Sequence, residues 1–147
     1  ARNNTQIANE QLEALLEAIQ SKNAQAVKEL FSDNAWAESG NMEKSILALF
    51  DYFQGELVSY KSWAGPSVHA TKNHGEYWKS YDCTYDFETT QDKYRLAMEI
   101  ITVDTADADN IGIRSLYIIR FEDDTRPNFA YWGDGEHTPG INIGKTK

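Results

Sequence analysis

Apolar residues Ala8, Leu12, Leu15, Leu16 and Ile19 recur at steps of three and four, which on a 3.6-residue period gathers them into one stripe. The pattern predicts a helix from about Thr5 to Ser21 with Thr5 placed to cap it. Asn23 is positioned to cap a shorter second helix with Val27, Leu30 and Phe31 inward, and Ser32-Asp33-Asn34 reads as its exit. Ala35-Trp36-Ala37 then reads as an extended link. A third helix follows from about Met42 to Gln54, with Ile46, Leu49, Phe50 and Phe53 inward, Ser39 or Asn41 as its cap and Gly55 ending it.

Beyond Gly55 the period changes to 2, and turn-forming clusters punctuate the chain at Gly65-Pro66, Asn73-His74-Gly75, Thr105 to Asn110 and Pro127. The clearest strand is Glu76 to Thr89, where Tyr77, Tyr81, Cys83, Tyr85 and Phe87 alternate with mostly polar residues. Folding Lys93 to Asp104 back over Thr89 to Asp92 sets Glu88 opposite Lys93 and Asp86 opposite Arg95. The same register places Phe87 across from Tyr94, Tyr85 from Leu96, Cys83 from Met98 and Tyr81 from Ile100, and a one-residue slip would destroy both patterns. It also leaves Asp82 opposite Glu99, a like-charge pair that wants a cation, for which Arg114 is a candidate. The last strand, Ile111 to Phe121, has Ile111, Ile113, Tyr117, Ile119 and Phe121 on one face. Leu116 and Ile118, on its other face, would join Trp78, Ile101 and Val103 in an apolar patch on the side of the sheet away from the helices. Either the tail with Phe129, Tyr131, Trp132 and Ile141 covers that patch or a second copy of the chain does, and a homodimer through the outer sheet face is the favoured cover.

The chain has 147 residues, 41% of them apolar and 12% aromatic, which suits a single packed α+β domain over residues 1–147. Acidic residues outnumber basic ones in both parts of the chain, 8 against 4 over residues 1–55 and 15 against 10 beyond, for a net charge of -9. That excludes a surface that tracks nucleic-acid phosphates. No apolar run reaches the roughly 18 residues of a membrane-spanning helix. The opening Ala1-Arg2-Asn3-Asn4 has neither the basic nor the apolar part of a signal peptide; a mature or trimmed end, with an export signal removed before it, is compatible with that opening, and the absence decides nothing. Cys83, the single cysteine, lies at an inward strand position and reads as an inert buried thiol.

Helices followed by a curved antiparallel sheet, with Leu30-Phe31-Ser32-Asp33-Asn34-Ala35-Trp36 closing the second helix, resemble the nuclear transport factor 2-like superfamily with its cystatin-like cone. Ile7 to Gln20, Leu30 to Asn34, Phe50 to Gly55 and the aromatic end Tyr131-Trp132-Gly133 with Pro139-Gly140-Ile141 are similar to small bacterial domains of unknown function within it. The resemblance implies three helices packed on a sheet of about four strands and a pocket at the open end of the cone. It also implies an extracytoplasmic location, with a lipid anchor on the precursor of a cell-surface lipoprotein. Some members use that pocket for isomerase, dehydratase or cyclase chemistry and others only for binding, so fold alone does not choose.

Isomerase chemistry would need a carboxylate base beside hydroxyl donors in a dry pocket. The inward strand positions hold Tyr81, Cys83, Tyr85, Phe87, Leu96, Met98 and Ile100 without one Asp, Glu or His, so no catalytic residue is assigned. Asp33 reads as a turn residue, His74 and His137 as surface groups, and His69 as the one strand histidine. No histidine pair has metal-motif spacing, and a three-ligand site would need loops to converge, so neither metal nor cofactor is expected. The acidic loop Asp104, Asp107, Asp109, Asn110 lacks the later ligands of a calcium loop and reads as a hairpin turn. What remains is an aromatic surplus of eight Tyr, four Trp and six Phe. Tyr81, Tyr85, Tyr94, Met98 and Tyr117 are the expected pocket wall and Trp36, Tyr52 and Trp63 its mouth, for a small apolar or aromatic ligand. The expected function is thus non-catalytic binding of a small ligand or protein partner, with an isomerase, dehydratase or cyclase as the alternative.

Overall fold

In the computed structural model, which describes residues 2–147, helix α1 (Asn4–Gln20) starts ahead of Thr5 because Asn3 is the better cap. The Asn3 side chain accepts from the Gln6 amide and the Gln6 side chain accepts from the Asn3 amide, each at 2.8 Å, so two otherwise orphaned donors are satisfied together. Ala1, the first residue of the run read as a processed end, lies outside the described residues. The stripe Ala8, Leu12, Leu15, Leu16 and Ile19 is buried as its spacing implies. Asn23 caps α2 (Ala24–Leu30) and Asn41 caps α4 (Met42–Tyr52). Between them the expected turn and extended link are instead a fourth helix, α3 (Asp33–Glu38). The Ser32 hydroxyl accepts from the Ala35 amide at 3.1 Å, and Asp33 sits in the first turn, where the helix dipole favours an acid. Six residues are too few for a helical period to show in the sequence.

The sheet has six strands rather than about four: β1 (Leu57–Ser62), β2 (Ser67–Asn73), β3 (Glu76–Thr89), β4 (Lys93–Asp104), β5 (Gly112–Arg120) and β6 (Gly140–Ile143). Strands β1 and β2 lie end to end along one edge of β3, β4 and β5 follow antiparallel, and β6 closes the far edge parallel to β5. The unexpected strands are those with weak alternation: β2 is exposed at every position and β6 has four residues. Together the helices and this curled sheet make an α+β protein.

The β3–β4 register is the one the charge and apolar pairs demand, with Glu88 opposite Lys93, Asp86 opposite Arg95, Cys83 opposite Met98 and Asp82 opposite Glu99. Strand β5 departs from expectation. Glu99 pairs with Ser115 while the next residue, Ile100, pairs with Ile113, so Arg114 is an extra residue in a bulge. Every later side chain therefore turns to the opposite face. Leu116 and Ile118 point to the helices and join the main core, while Tyr117 and Ile119 face outward. Leu116 and Ile118 thus leave the expected outward patch, and Ala97, Tyr117 and Ile119 are covered by Tyr131 from the chain's own tail. Ile141 takes no part in that cover; it pairs with Leu116 in β6 and packs on the main core. Gly112, at φ 131°, permits the contact that ties α2 to the sheet. A Cβ there would come within 2.7 Å of the Ser32 amide, which donates to the Ile113 carbonyl at 3.0 Å.

Because Leu116 is fully buried against the helices, Leu116→Glu places an unpaired charge in the core. Urea denaturation followed by circular dichroism should show a loss of about 4 kcal/mol or more, or no folded state at all. A folded variant of unchanged stability would mean that Leu116 lies on an outward face after all.

Candidate functional site

The expected pocket wall is the packed interior. Tyr81, Tyr85, Tyr94 and Met98 are all buried on the helix-facing side of the sheet. The Tyr81 and Tyr85 hydroxyls donate to Asn4 Oδ1 and Asn9 Oδ1 of α1, each at 2.9 Å. The Tyr94 hydroxyl donates to the Tyr52 carbonyl at 3.1 Å and accepts from the Gln54 amide at 2.8 Å. Phe53, Phe87 and Tyr94 stack at centroid distances of 5.0 to 5.8 Å, within the range of offset aromatic pairs. Burial raises the Tyr85 and Tyr94 phenols above their usual range and, with Asp82 alongside, pushes the Cys83 thiol up to about 12.

The other candidates do not form one mouth. Tyr52 accepts from the Arg120 amide at 2.8 Å, and its ring lies beneath the Arg120 guanidinium and edge-on to Tyr94. Trp36 sits on α3 under the Lys28 ammonium, beside a groove of about 290 Å³ that includes Ile46 and Leu47. Tyr117 is turned outward by the β5 bulge, and Trp63, just past β1, stacks on Arg95 of the outer face. Expected neighbours are thus dispersed over the molecule, because Trp36 belongs to a helix that was read as a link and Tyr117 follows a bulge.

The outer face carries the concentrated polar chemistry. The Arg95 side chain is 0% exposed, with Nε 2.9 Å from Asp86 Oδ1 and Nη1 2.6 Å from Asp124 Oδ2. Its guanidinium lies between the rings of Trp63 and Phe121, at 5.0 and 5.3 Å. Beside it is a groove of about 360 Å³, whose lining includes Lys61, Asp86, Glu88, Lys93 and Phe121 and, of the expected pocket residues, Tyr94.

A second polar group forms where the tail crosses β3 and β4. His69 Nε2 is 3.1 Å from Asp82 Oδ2, and Arg114 Nη1 is 3.2 Å from Glu99 Oε1 and donates to the His137 carbonyl at 2.9 Å. Arg114 is therefore the cation that Glu99 requires, while Asp82 is met by a histidine. One side-chain atom from each of Asp82, Glu99 and His137 lies within 4.8 Å of the others. Tyr117 positions this part of the tail: its hydroxyl donates to Asp134 and accepts from the Thr138 amide, each at 2.9 Å. Burial would raise the Asp134 carboxyl, but hydrogen bonds from the Glu136 amide and the Tyr117 hydroxyl hold it below its usual value. His74 occupies the β2–β3 turn at φ 50°, and Asp104 accepts from the amides of Ala106 and Asp107 in the β4–β5 hairpin turn. The cross-strand pair Asp82 and Glu99 was the sequence signal for the polar group; the arrival of His137 from a loop had none.

The family model of a domain of unknown function (DUF5104) matches residues 14–121, and the chain belongs to that family. The match runs from within α1 to the end of β5, so it includes Asp82, Arg95 and Glu99, whereas Asp124 and His137 lie beyond it. No curated protein matches the chain.

Removing one partner of the Arg95 network strands a buried charge. Asp124→Ala should cost about 3 kcal/mol in denaturant unfolding at neutral pH, and Arg95→Met with Asp124→Asn should cost less than the sum of the two single changes. Cys83 should resist a thiol-reactive disulfide reagent at pH 8 in the native protein and react at once in denaturant; rapid native labelling would contradict its burial.

Proposed function

We propose that this chain is a non-catalytic binding domain of nuclear transport factor 2-like build, part of a bacterial exported protein held at the cell surface. Its ligand site is the outer-face groove rather than the hollow of a cone. The observation that carries the reading is the interior: the helix-facing positions of β3, β4 and β5 present rings and aliphatic chains without a carboxylate or imidazole. The Tyr81, Tyr85 and Tyr94 hydroxyls are already committed to Asn4, Asn9 and the Tyr52 carbonyl. Proton-transfer chemistry needs an acid or base within hydrogen-bond reach of a substrate, and an isomerase, dehydratase or cyclase reading finds no support in that wall. The groove beside Arg95 has the volume of a small-molecule site, one aromatic wall in Phe121, and two ammonium groups, Lys61 and Lys93, among the carboxylates of Asp86 and Glu88. That combination suits a small amphipathic molecule with an apolar or aromatic body and a charged end.

A thermal-shift screen of amphipathic and aromatic compounds should yield ligands that raise the melting temperature, since binding to the native state alone stabilises it. Phe121→Ala and Lys93→Glu should abolish the shift, and Tyr85→Phe, which removes only an interior hydroxyl, should leave it intact. Ligands that ignore both groove changes and respond to Tyr85→Phe would move the site back inside the cone.

A further inference from the structure

We infer that the chain holds one Zn²⁺ ion between its sheet and its tail, with Asp82 of β3, Glu99 of β4 and His137 of the tail as the protein ligands. The inference goes beyond the proposed binding function and does not rest on it. Three observations meet at this place. First, Asp82 and Glu99 are cross-strand partners on the outer face, and Arg114 reaches only Glu99. One carboxylate of the pair therefore lacks a fixed cation, an arrangement that opposes folding unless positive charge is supplied.

Second, His69 takes Asp82 Oδ2 and leaves Asp82 Oδ1 buried without a hydrogen-bond partner among the described residues. A carboxylate with one oxygen held by an imidazole and the other free is oriented as a ligand is by its outer neighbours. His69 is accordingly a positioning residue rather than a ligand. Third, the tail delivers His137 to the same point, so that atoms of all three side chains lie within 4.8 Å of one another. They border a cavity of about 10 Å³, also lined by Ser115, Tyr117 and Trp132. That is about the space of one water-sized sphere.

The ligand set favours a borderline ion such as zinc over a hard one. An imidazole nitrogen with two carboxylate oxygens and one open position matches zinc, which accepts four ligands at about 2.0–2.2 Å. Magnesium and calcium prefer six or more ligands drawn from oxygen alone. Such bonds place neighbouring ligand atoms roughly 3.4 Å apart, so small side-chain rotations would draw the three groups onto the ion. The ion would cross-link β3 and β4 to the tail, adding to the hydrogen bonds that Tyr117 makes on either side of His137. Arg114, 3.2 Å from Glu99, opposes a cation nearby and weakens its binding.

The test is titration of chelator-treated full-length chain with Zn²⁺ against a chromogenic zinc indicator, with melting temperature and tail proteolysis read in parallel. One ion per chain should bind with a dissociation constant below about 100 μM, raise the melting temperature and slow cleavage of the tail. His137→Ala should weaken binding by more than about tenfold and His69→Ala by about tenfold. His74→Ala, at the hairpin tip, should leave binding unchanged. His137 and His74 are both exposed and both at positive φ, 53° and 50°, so His74→Ala also controls for the backbone cost of placing Ala there. Absence of saturable binding, insensitivity to His137→Ala, or an equal response to Ca²⁺ or Mg²⁺ would overturn the assignment.

Discussion

A guanidinium with no access to water sits near the middle of the outer sheet face, and much of this molecule is arranged to tolerate it. Arg95 projects from β4 into a site where Asp86 of the neighbouring strand and Asp124 of the tail each take one edge of its fork, while Trp63 and Phe121 close on its two faces. A buried arginine is costly unless its charge and its donors are met together. Here Nε and Nη1 find carboxylates while Nη2 is left without a partner among the described residues, and bringing those groups and the two rings together requires β1's exit, β3, β4 and the start of the tail to be in place at once. The interaction therefore makes docking of the tail a condition of folding the sheet rather than an addition to it.

From that clamp the tail runs back over β4 and β5. Tyr131 seals Ala97, Tyr117 and Ile119 and donates to the Lys145 carbonyl at 2.6 Å, and Gly133 lies so close to the Tyr117 ring that a Cβ would run into it. The sheet thus has two unlike coverings. Helices supply an apolar one on the inner side, where Asn4 and Asn9 finish the hydrogen bonding of buried phenols. The tail supplies a polar, aromatic one on the outer side, where Asp82, Arg95, Glu99, Arg114 and Asp124 gather.

Much of this was legible beforehand. The α1 stripe, the β3–β4 register and the pairs Asp86 with Arg95 and Glu88 with Lys93 follow from period and charge, since one slip would misplace every residue on both faces. The candidate pocket was less legible. Tyr81, Tyr85, Tyr94 and Met98 do face the helices, as their alternation requires, but alternation cannot say whether the facing space is empty, and α1 with Phe53 fills it. Tyr117 was misplaced because a bulge adds one residue without leaving a mark in the hydropathy pattern. Trp36 and Trp63 lie apart because helix α3 and strand β1 are too short to announce themselves.

Local and pairwise chemistry, then, is what the amino-acid order by itself determined: which stretches coil or extend, which cap opens α2, which strands share a register, and that the inner face carries no acid or imidazole. The tertiary structure alone decided which face Leu116 and Tyr117 take and that Tyr131 of the tail covers Ala97, Tyr117 and Ile119. It alone brought His137 to Asp82 and Glu99. The first depends on a one-residue bulge at Arg114; the others depend on where a loop of some twenty residues returns after leaving β5, and a loop's return is set by contacts with a surface that exists only once the strands have paired.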